Sequence, residues 1–145
     1  MSDKSHIVCT HCGAVNALAP GRAPREAKCG KCAVALFAGK PADVDTAAFD
    51  KQIERSDIPV LVDVWAPWCG PCRQMSPMFE RAAAELEPNV RLLKLNADSA
   101  PDVCERYGIR GIPALLLLRH GKLLAQSAGV MDTSNIVRWA RQHAG

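Results

Sequence analysis

The chain has 145 residues, 48% of them hydrophobic, which suits one ordinary domain with a small appendage. Its 18 Lys/Arg against 15 Asp/Glu leave a formal charge of +3, too small to imply a special partner. No apolar run approaches the ~20 residues of a membrane span, and the opening Met-Ser-Asp-Lys-Ser-His lacks a signal-peptide core, so a soluble, cytoplasmic protein is expected.

Charge is unevenly placed. Residues 1–40 carry six cations (Lys4, Arg22, Arg25, Lys28, Lys31, Lys40) against Asp3 and Glu26, while the remaining 105 residues carry a net of −1. The same forty residues hold two Cys-x-x-Cys pairs, Cys9/Cys12 and Cys29/Cys32, with sixteen residues between them. In a reducing compartment this spacing suits a four-thiolate zinc site. Two turns each present two sulfurs, and the loop closes them into a tetrahedron. Gly13 and Gly30 permit tight backbone that aims N–H groups at sulfur. Iron, or a pair of disulfides, is the alternative to zinc. His11 lies inside the first pair, but four thiolates fill the site and a solvated His11 is expected.

The loop over residues 14–28, with Pro20, Gly21 and Pro24, reads as a connection without a core of its own. So few large apolar side chains cannot easily fold unaided, and metal binding would supply the missing free energy. Bound zinc would also lower the local charge to about +2. The cations are scattered and Phe37 is the only aromatic of the segment, which argues against nucleic-acid binding.

Gly39-Lys40-Pro41 marks a boundary between a metal module (1–40) and a second domain (41–145). Residues 41–44 read as a short edge strand. Asp45 or Thr46 caps a helix to about residue 56, with Ala47, Phe49 and Ile53 inward. The unbroken apolar run 60–65 reads as a central strand covered on both faces. A helix follows from Cys69 to about Leu86, with an apolar stripe of Met75, Met78, Phe79, Ala82, Ala83 and Leu86 and a kink expected at Pro77. A strand over 90–95, a short helix over 98–107, a second apolar strand over 114–118, a His120-Gly121 hairpin turn and a strand over 122–128 come next. Asp132 or Thr133 caps the final helix, with Ile136, Val137, Trp139 and Ala140 inward. The order of the second domain is β-α-β-α-β-α-β-β-α, an α/β fold on a mixed sheet.

Trp68-Cys69-Gly70-Pro71-Cys72 stands where a strand passes into a helix. A helix start carries free N–H groups and partial positive charge, which stabilise a thiolate. A loop this short removes little chain entropy, so the pair suits reversible two-electron exchange better than a structural crosslink. Asp63 sits inside an apolar strand, where desolvation raises its pKa. Lys94, on the next strand, could be its partner. Cys104 reads as a buried inert thiol, with a regulatory thiol as the alternative.

From about residue 42 onward these motifs resemble the thioredoxin family. The resemblance rests on Val62-Asp63-Val64-Trp65-Ala66, the Trp68–Cys72 motif, Lys94-Leu95-Asn96, Tyr107-Gly108-Ile109-Arg110-Gly111-Ile112-Pro113 and Gly129, in the family's order and spacing. With the four-cysteine module in front, the chain resembles the zinc-containing bacterial thioredoxin 2 branch. Pro67 and Arg73 depart from the commonest family pattern, where an acidic residue and a lysine stand.

The resemblance implies a thioredoxin fold with an N-terminal zinc ribbon. It implies a general disulfide reductase with no bound organic cofactor, recharged by NADPH through thioredoxin reductase and acting on disulfide-containing proteins. Cys69 would attack the substrate disulfide and Cys72 would resolve the mixed disulfide. Asp63 would accept the proton of Cys72. Ile112-Pro113 would be a cis peptide, and Trp68, Gly70, Pro71, Gly111, Ile112, Pro113 and Gly129 would frame the docking patch. Gly70-Pro71, without a histidine before the second cysteine, argues against an oxidase or isomerase. The competing function is a redox-responsive binding protein or holdase, in which oxidation of Cys9, Cys12, Cys29 and Cys32 releases Zn²⁺ and opens the module.

Overall fold

The computed structural model describes residues 4–144. Met1–Asp3, the start of the stretch read above for an export signal, lies outside them. Seven strands and four α-helices follow in chain order among the described residues. Strands β1 (Ser5–Val8) and β2 (Val15–Leu18) form an antiparallel hairpin in the cysteine-rich segment. Then come β3 (Ala42–Val44), α1 (Thr46–Arg55), β4 (Val60–Trp65), α2 (Gly70–Leu86), β5 (Arg91–Asn96), α3 (Pro101–Arg106), β6 (Ala114–Arg119), β7 (Lys122–Ala128) and α4 (Thr133–His143).

The main sheet has the order β3-β5-β4-β6-β7, with β3, β5 and β4 parallel, β6 antiparallel to β4, and β7 antiparallel to β6. Strand β4 is central, as its unbroken apolar run requires, and every residue from Val60 to Val64 is buried. Alternation along the strands sorts the side chains into two layers. Leu61, Leu92, Leu115 and Leu117 pack under α2 and α4. Val60, Val62, Val64, Leu93 and Leu116 pack with α1 and α3 on the other face. Asp45 and Asp132 cap α1 and α4, accepting from Ala48 and Asn135 N–H. His120 and Gly121, both at positive φ, make the tight turn between β6 and β7.

Three details differ from the sequence reading. Ala47 is exposed, and Gln52 takes the inward place on α1 because its amide donates to the Val8 carbonyl. Trp139 is only half buried, at the rim of the α2–α4 layer. The 14–28 segment is more than a connection. It contains β2 and a short 3-10 turn, and it shares an apolar cluster of Ile7, Leu18, Ala27, Leu36 and Phe37. Ile58 from the main domain packs against that cluster.

The ribbon is joined to the main domain by a dense set of hydrogen bonds. Asp57 N–H donates to the His6 carbonyl, and His6 N–H donates to the Asp57 carboxylate at 2.6 Å. Val8 N–H donates to Ser56 Oγ. Arg91, only 1% exposed, reaches across the boundary. Its Nη1 donates to the Leu36 carbonyl at 2.9 Å and its Nη2 to the Val8 carbonyl at 3.1 Å. The guanidinium lies 4.3 Å from the Phe37 ring centroid and 3.6 Å from the Glu87 carboxylate. Glu87 in turn accepts from Gly39 N–H, and its carbonyl accepts from Arg25. A buried cation is tolerable only with such partners.

Arg91→Ala is therefore expected to destabilise the full chain by about 3–5 kcal/mol, since it leaves Glu87 buried without its counter-ion. Urea unfolding measures this. A change below about 1 kcal/mol, the size of an exposed ion pair, would contradict the reading of Arg91 as a buried anchor.

Candidate active site and metal centre

Cys69 is the N-cap of α2, placed there by the end of β4 and the turn Ala66–Trp68. Its sulfur accepts from Cys72 N–H at 3.2 Å. A sulfur in this place receives one of the free amides of the first turn and the positive end of the helix dipole. Cys69 and Cys72 are joined as a disulfide, with Cα atoms 5.3 Å apart. Both residues are buried among Ala66, Trp65 and Ile112.

The Ile112–Pro113 bond is cis, as expected. The Ile112 carbonyl oxygen lies 3.8 Å from Cys69 Sγ, so the turn before β6 meets the cysteine pair. Pro113 is buried and its carbonyl accepts from Gly129 N–H, which brings Gly129 to the same rim. Gly70, Pro71, Gly111 and Gly129 are exposed. Trp68 is 68% exposed, and its indole N–H points at both oxygens of Asp98, each at 3.1 Å. Asp98 was not singled out from the sequence, because nothing in Asn-Ala-Asp marks it as the residue that sets the Trp68 ring. Arg73 donates to the Pro67 carbonyl and so braces the turn before Cys69.

Asp63 is fully buried, and neither carboxylate oxygen has a hydrogen-bond partner among the described residues. Burial pushes its pKa up to about 7, with the Lys94 charge acting in the opposite direction. The pairing weighed from the sequence does not form. Lys94 stands opposite Asp63 in the β4–β5 register, yet its Nζ donates to Ser76 Oγ at 3.0 Å and lies 4.9 Å from the Trp65 ring centroid. Cys104 is half buried, packs against the α1–α3 layer, and has its thiol pKa raised by burial.

At the ribbon, Cys9, Cys12, Cys29 and Cys32 place their sulfurs within 4.8 Å of one another. Cys9–Cys32 and Cys12–Cys29 are 3.7 Å and 3.6 Å apart, and all four thiols are free. A bonded pair would stand near ~2.05 Å, whereas a tetrahedron with metal–sulfur bonds of about 2.3 Å has edges of about 3.8 Å. The sulfur set therefore fits a tetrahedral metal and could hold a metal ion. His11 and Lys31 N–H groups point at the sulfurs of Cys9 and Cys29, each at 3.4 Å, and Asn16 adds its amide to Cys29. These donors stabilise thiolate. The His11 side chain is exposed and outside the cluster, as expected.

The family model for thioredoxin matches residues 40–142. The chain belongs to the thioredoxin family. Thioredoxin C-3 of Corynebacterium nephridii is 34% identical over 136 residues, covering 94% of this chain and 93% of that one. That match extends from the thioredoxin domain well into the cysteine-rich ribbon. The thioredoxin of Haemophilus influenzae is 35% identical over 69% of this chain and 94% of its own. Among solved structures, an asparagine-to-glutamine mutant thioredoxin from Halobacterium salinarum NRC-1 superposes with a TM-score of 0.67 at 25% identity, covering 75% of this chain and 95% of that one. The fold is thus the thioredoxin fold, and the protein is a thiol-disulfide oxidoreductase with a redox-active cysteine pair. No described helix is long and apolar enough to cross a membrane.

The raised Asp63 carboxyl has a signed consequence for stability. At about pH 4 and below, folded and unfolded chains both hold the proton. Between pH 4 and 7 the unfolded chain releases it while the folded chain keeps it, so stability falls; above 7 the full penalty is present. The stability of Asp63→Asn relative to wild type is expected to rise by about 4 kcal/mol between pH 4 and pH 8. Denaturant midpoints of the oxidised chains across that range provide the check, and a pH-independent difference would remove the buried ionisation from the account.

Proposed function

We propose that this thioredoxin is a general protein-disulfide reductase, and that it works by exchange at Cys69 and Cys72. The observation that carries the reading is the Cys69–Cys72 pair capping α2 beside the Ile112–Pro113 turn. In the reduced protein the Cys69 thiolate attacks one sulfur of a substrate disulfide. The Cys69–substrate bond forms, the substrate disulfide breaks, and its other sulfur leaves as thiolate. Cys72 then loses its proton to Asp63, directly or through one water, and attacks Cys69 Sγ. The Cys69–Cys72 bond forms and the second substrate sulfur is released. Two electrons have passed from the protein dithiol to the substrate disulfide, and the proton on Asp63 is available to a released thiolate. Gly111, Ile112, Pro113, Gly129, Gly70, Pro71 and Trp68 supply the docking rim, where an extended substrate segment lies against backbone. Thioredoxin reductase, drawing on NADPH, is the proposed source of electrons.

Residues 1–40 are proposed as a zinc ribbon and 41–145 as the thioredoxin domain. Cys9, Cys12, Cys29 and Cys32 would hold the ion, which would crosslink the two cysteine turns and supply folding free energy. A second reading for the ribbon follows from unequal exposure of its sulfurs. Cys12 is exposed and Cys32 half exposed, while Cys9 and Cys29 are buried. Oxidation entering through Cys12 would release the ion and loosen the Ile7–Leu36–Phe37 cluster, giving a redox-responsive binding surface.

Dithiothreitol-driven insulin reduction is expected to fall to the uncatalysed rate in Cys69→Ser. Cys72→Ser is expected to accumulate a mixed disulfide with substrate. Undiminished turnover in Cys69→Ser would defeat the mechanism. For the ribbon, one zinc per full chain is expected by elemental analysis, and stripping it should lower the thermal midpoint. A metal-free protein with two ribbon disulfides would replace the zinc site by crosslinks. Peroxide titration separates the second reading, which requires zinc release to coincide with new binding of an apolar dye.

A further inference from the structure

The basin around Asp63 contains a hydroxyl with no assigned part in the exchange reaction. Parallel pairing sets Asp63 on β4 opposite Lys94 on β5, on neighbouring strands about 4.8 Å apart. Their side chains share the face covered by α2 and α4. A desolvated carboxylate is the strongest acceptor an ammonium could find there, and closing that ion pair is the default expectation. It does not close. The ammonium of Lys94 is held 3.0 Å from Ser76 Oγ, one turn beyond Cys72 on α2, and over the Trp65 ring.

We infer that Ser76 is a positioning residue for the proton transfer: its hydroxyl retains the Lys94 ammonium on α2 and leaves Asp63 free to take the proton of Cys72. This rests on the reading of Asp63 as proton acceptor given above. A carboxylate in a closed ion pair stays ionised and is a poor base. A carboxylate with no charge nearby would be hard to ionise at all. The Ser76 contact sets Lys94 between these limits, near enough to act on Asp63 through space and held short of contact. The other elements around Asp63 supply no competing ion. Leu115 is its register partner on β6, and the buried residues of the helices on this face, among them Cys72, Met75 and Phe79 of α2 and Ile136 and Val137 of α4, carry no charge. Lys94 is the charge that acts on it.

The test is the titration of the Asp63 side-chain carboxyl carbon by NMR in the oxidised full chain, where neither Cys69 nor Cys72 titrates. Ser76→Ala frees the ammonium to approach the carboxylate, and the Asp63 midpoint is expected to fall by about one pH unit. Ser76→Thr keeps a hydroxyl and is expected to keep the wild-type midpoint. An unchanged or higher midpoint in Ser76→Ala overturns the inference, as does an equal fall in both variants, which would trace to a disturbed helix rather than the lost hydrogen bond. The pH profile of mixed-disulfide resolution by reduced Ser76→Ala should move to lower pH by the same amount. Asp63→Asn separates the two levels. If that variant resolves the mixed disulfide as fast as wild type, the proton-acceptor reading fails. If it is slow while Ser76→Ala titrates like wild type, only the role of Ser76 fails.

Discussion

The buried guanidinium of Arg91 decides how this molecule is put together. A charge taken out of water needs several partners, and among the described residues the thioredoxin domain alone offers Arg91 only the Glu87 carboxylate at 3.6 Å. The remaining acceptors are the carbonyls of Val8 and Leu36, and the stacked ring is Phe37. All three belong to the cysteine-rich segment. That segment is itself too poor in apolar side chains to hold together without its sulfur cluster and the domain beneath it. Each part therefore completes the other. Cys9, one residue beyond Val8, stands next to an acceptor of Arg91, so the sulfur cluster and the buried guanidinium adjoin along the chain.

This arrangement separates the two sulfur chemistries in space. Helix α2 begins at the redox pair and ends beside Glu87, a rise of about 25 Å over its 17 residues. The anchoring contacts of the ribbon gather at the far end of α2, the end of α1 and the start of β5. Among the described residues, no hydrogen bond joins the ribbon to Trp68, the Ile112–Pro113 turn or Gly129.

Much of this was legible in the residues, and the reason is local physics. The apolar run ending in Trp65, the cysteine pair at a strand-to-helix junction, and the two spaced Cys-x-x-Cys turns each constrain their own neighbourhood strongly. The chain order of the elements, the central place of β4 and the approximate limits of α1, α2 and α4 followed. What stayed hidden depends on long-range pairing. Arg91 falls without further mark in the strand expected over 90–95, and only the fold shows it buried under residues more than fifty positions away. The β1–β2 hairpin was missed because its strands have four residues each and take their support from the sulfur cluster and Ile58 rather than from their own pattern. The Asp98–Trp68 and Ser76–Lys94 contacts are side-chain meetings across elements, for which single-chain periodicity carries no signal.

Asp63 shows the same logic at the reacting centre. A central strand stable enough to hold the sheet must be apolar, and a carboxylate there, without a hydrogen bond, works against folding whenever it is ionised. The Lys94 ammonium could relieve that cost by moving onto it, but an ion pair would stabilise the anion and remove its appetite for a proton. The structure instead commits Lys94 to Ser76 and Trp65. Stability that a closed ion pair would supply is left unused, and what remains is a group poised near neutral pH beneath the helix that carries both cysteines. The place where the fold declines an available interaction is thus the place where the proposed exchange needs a base.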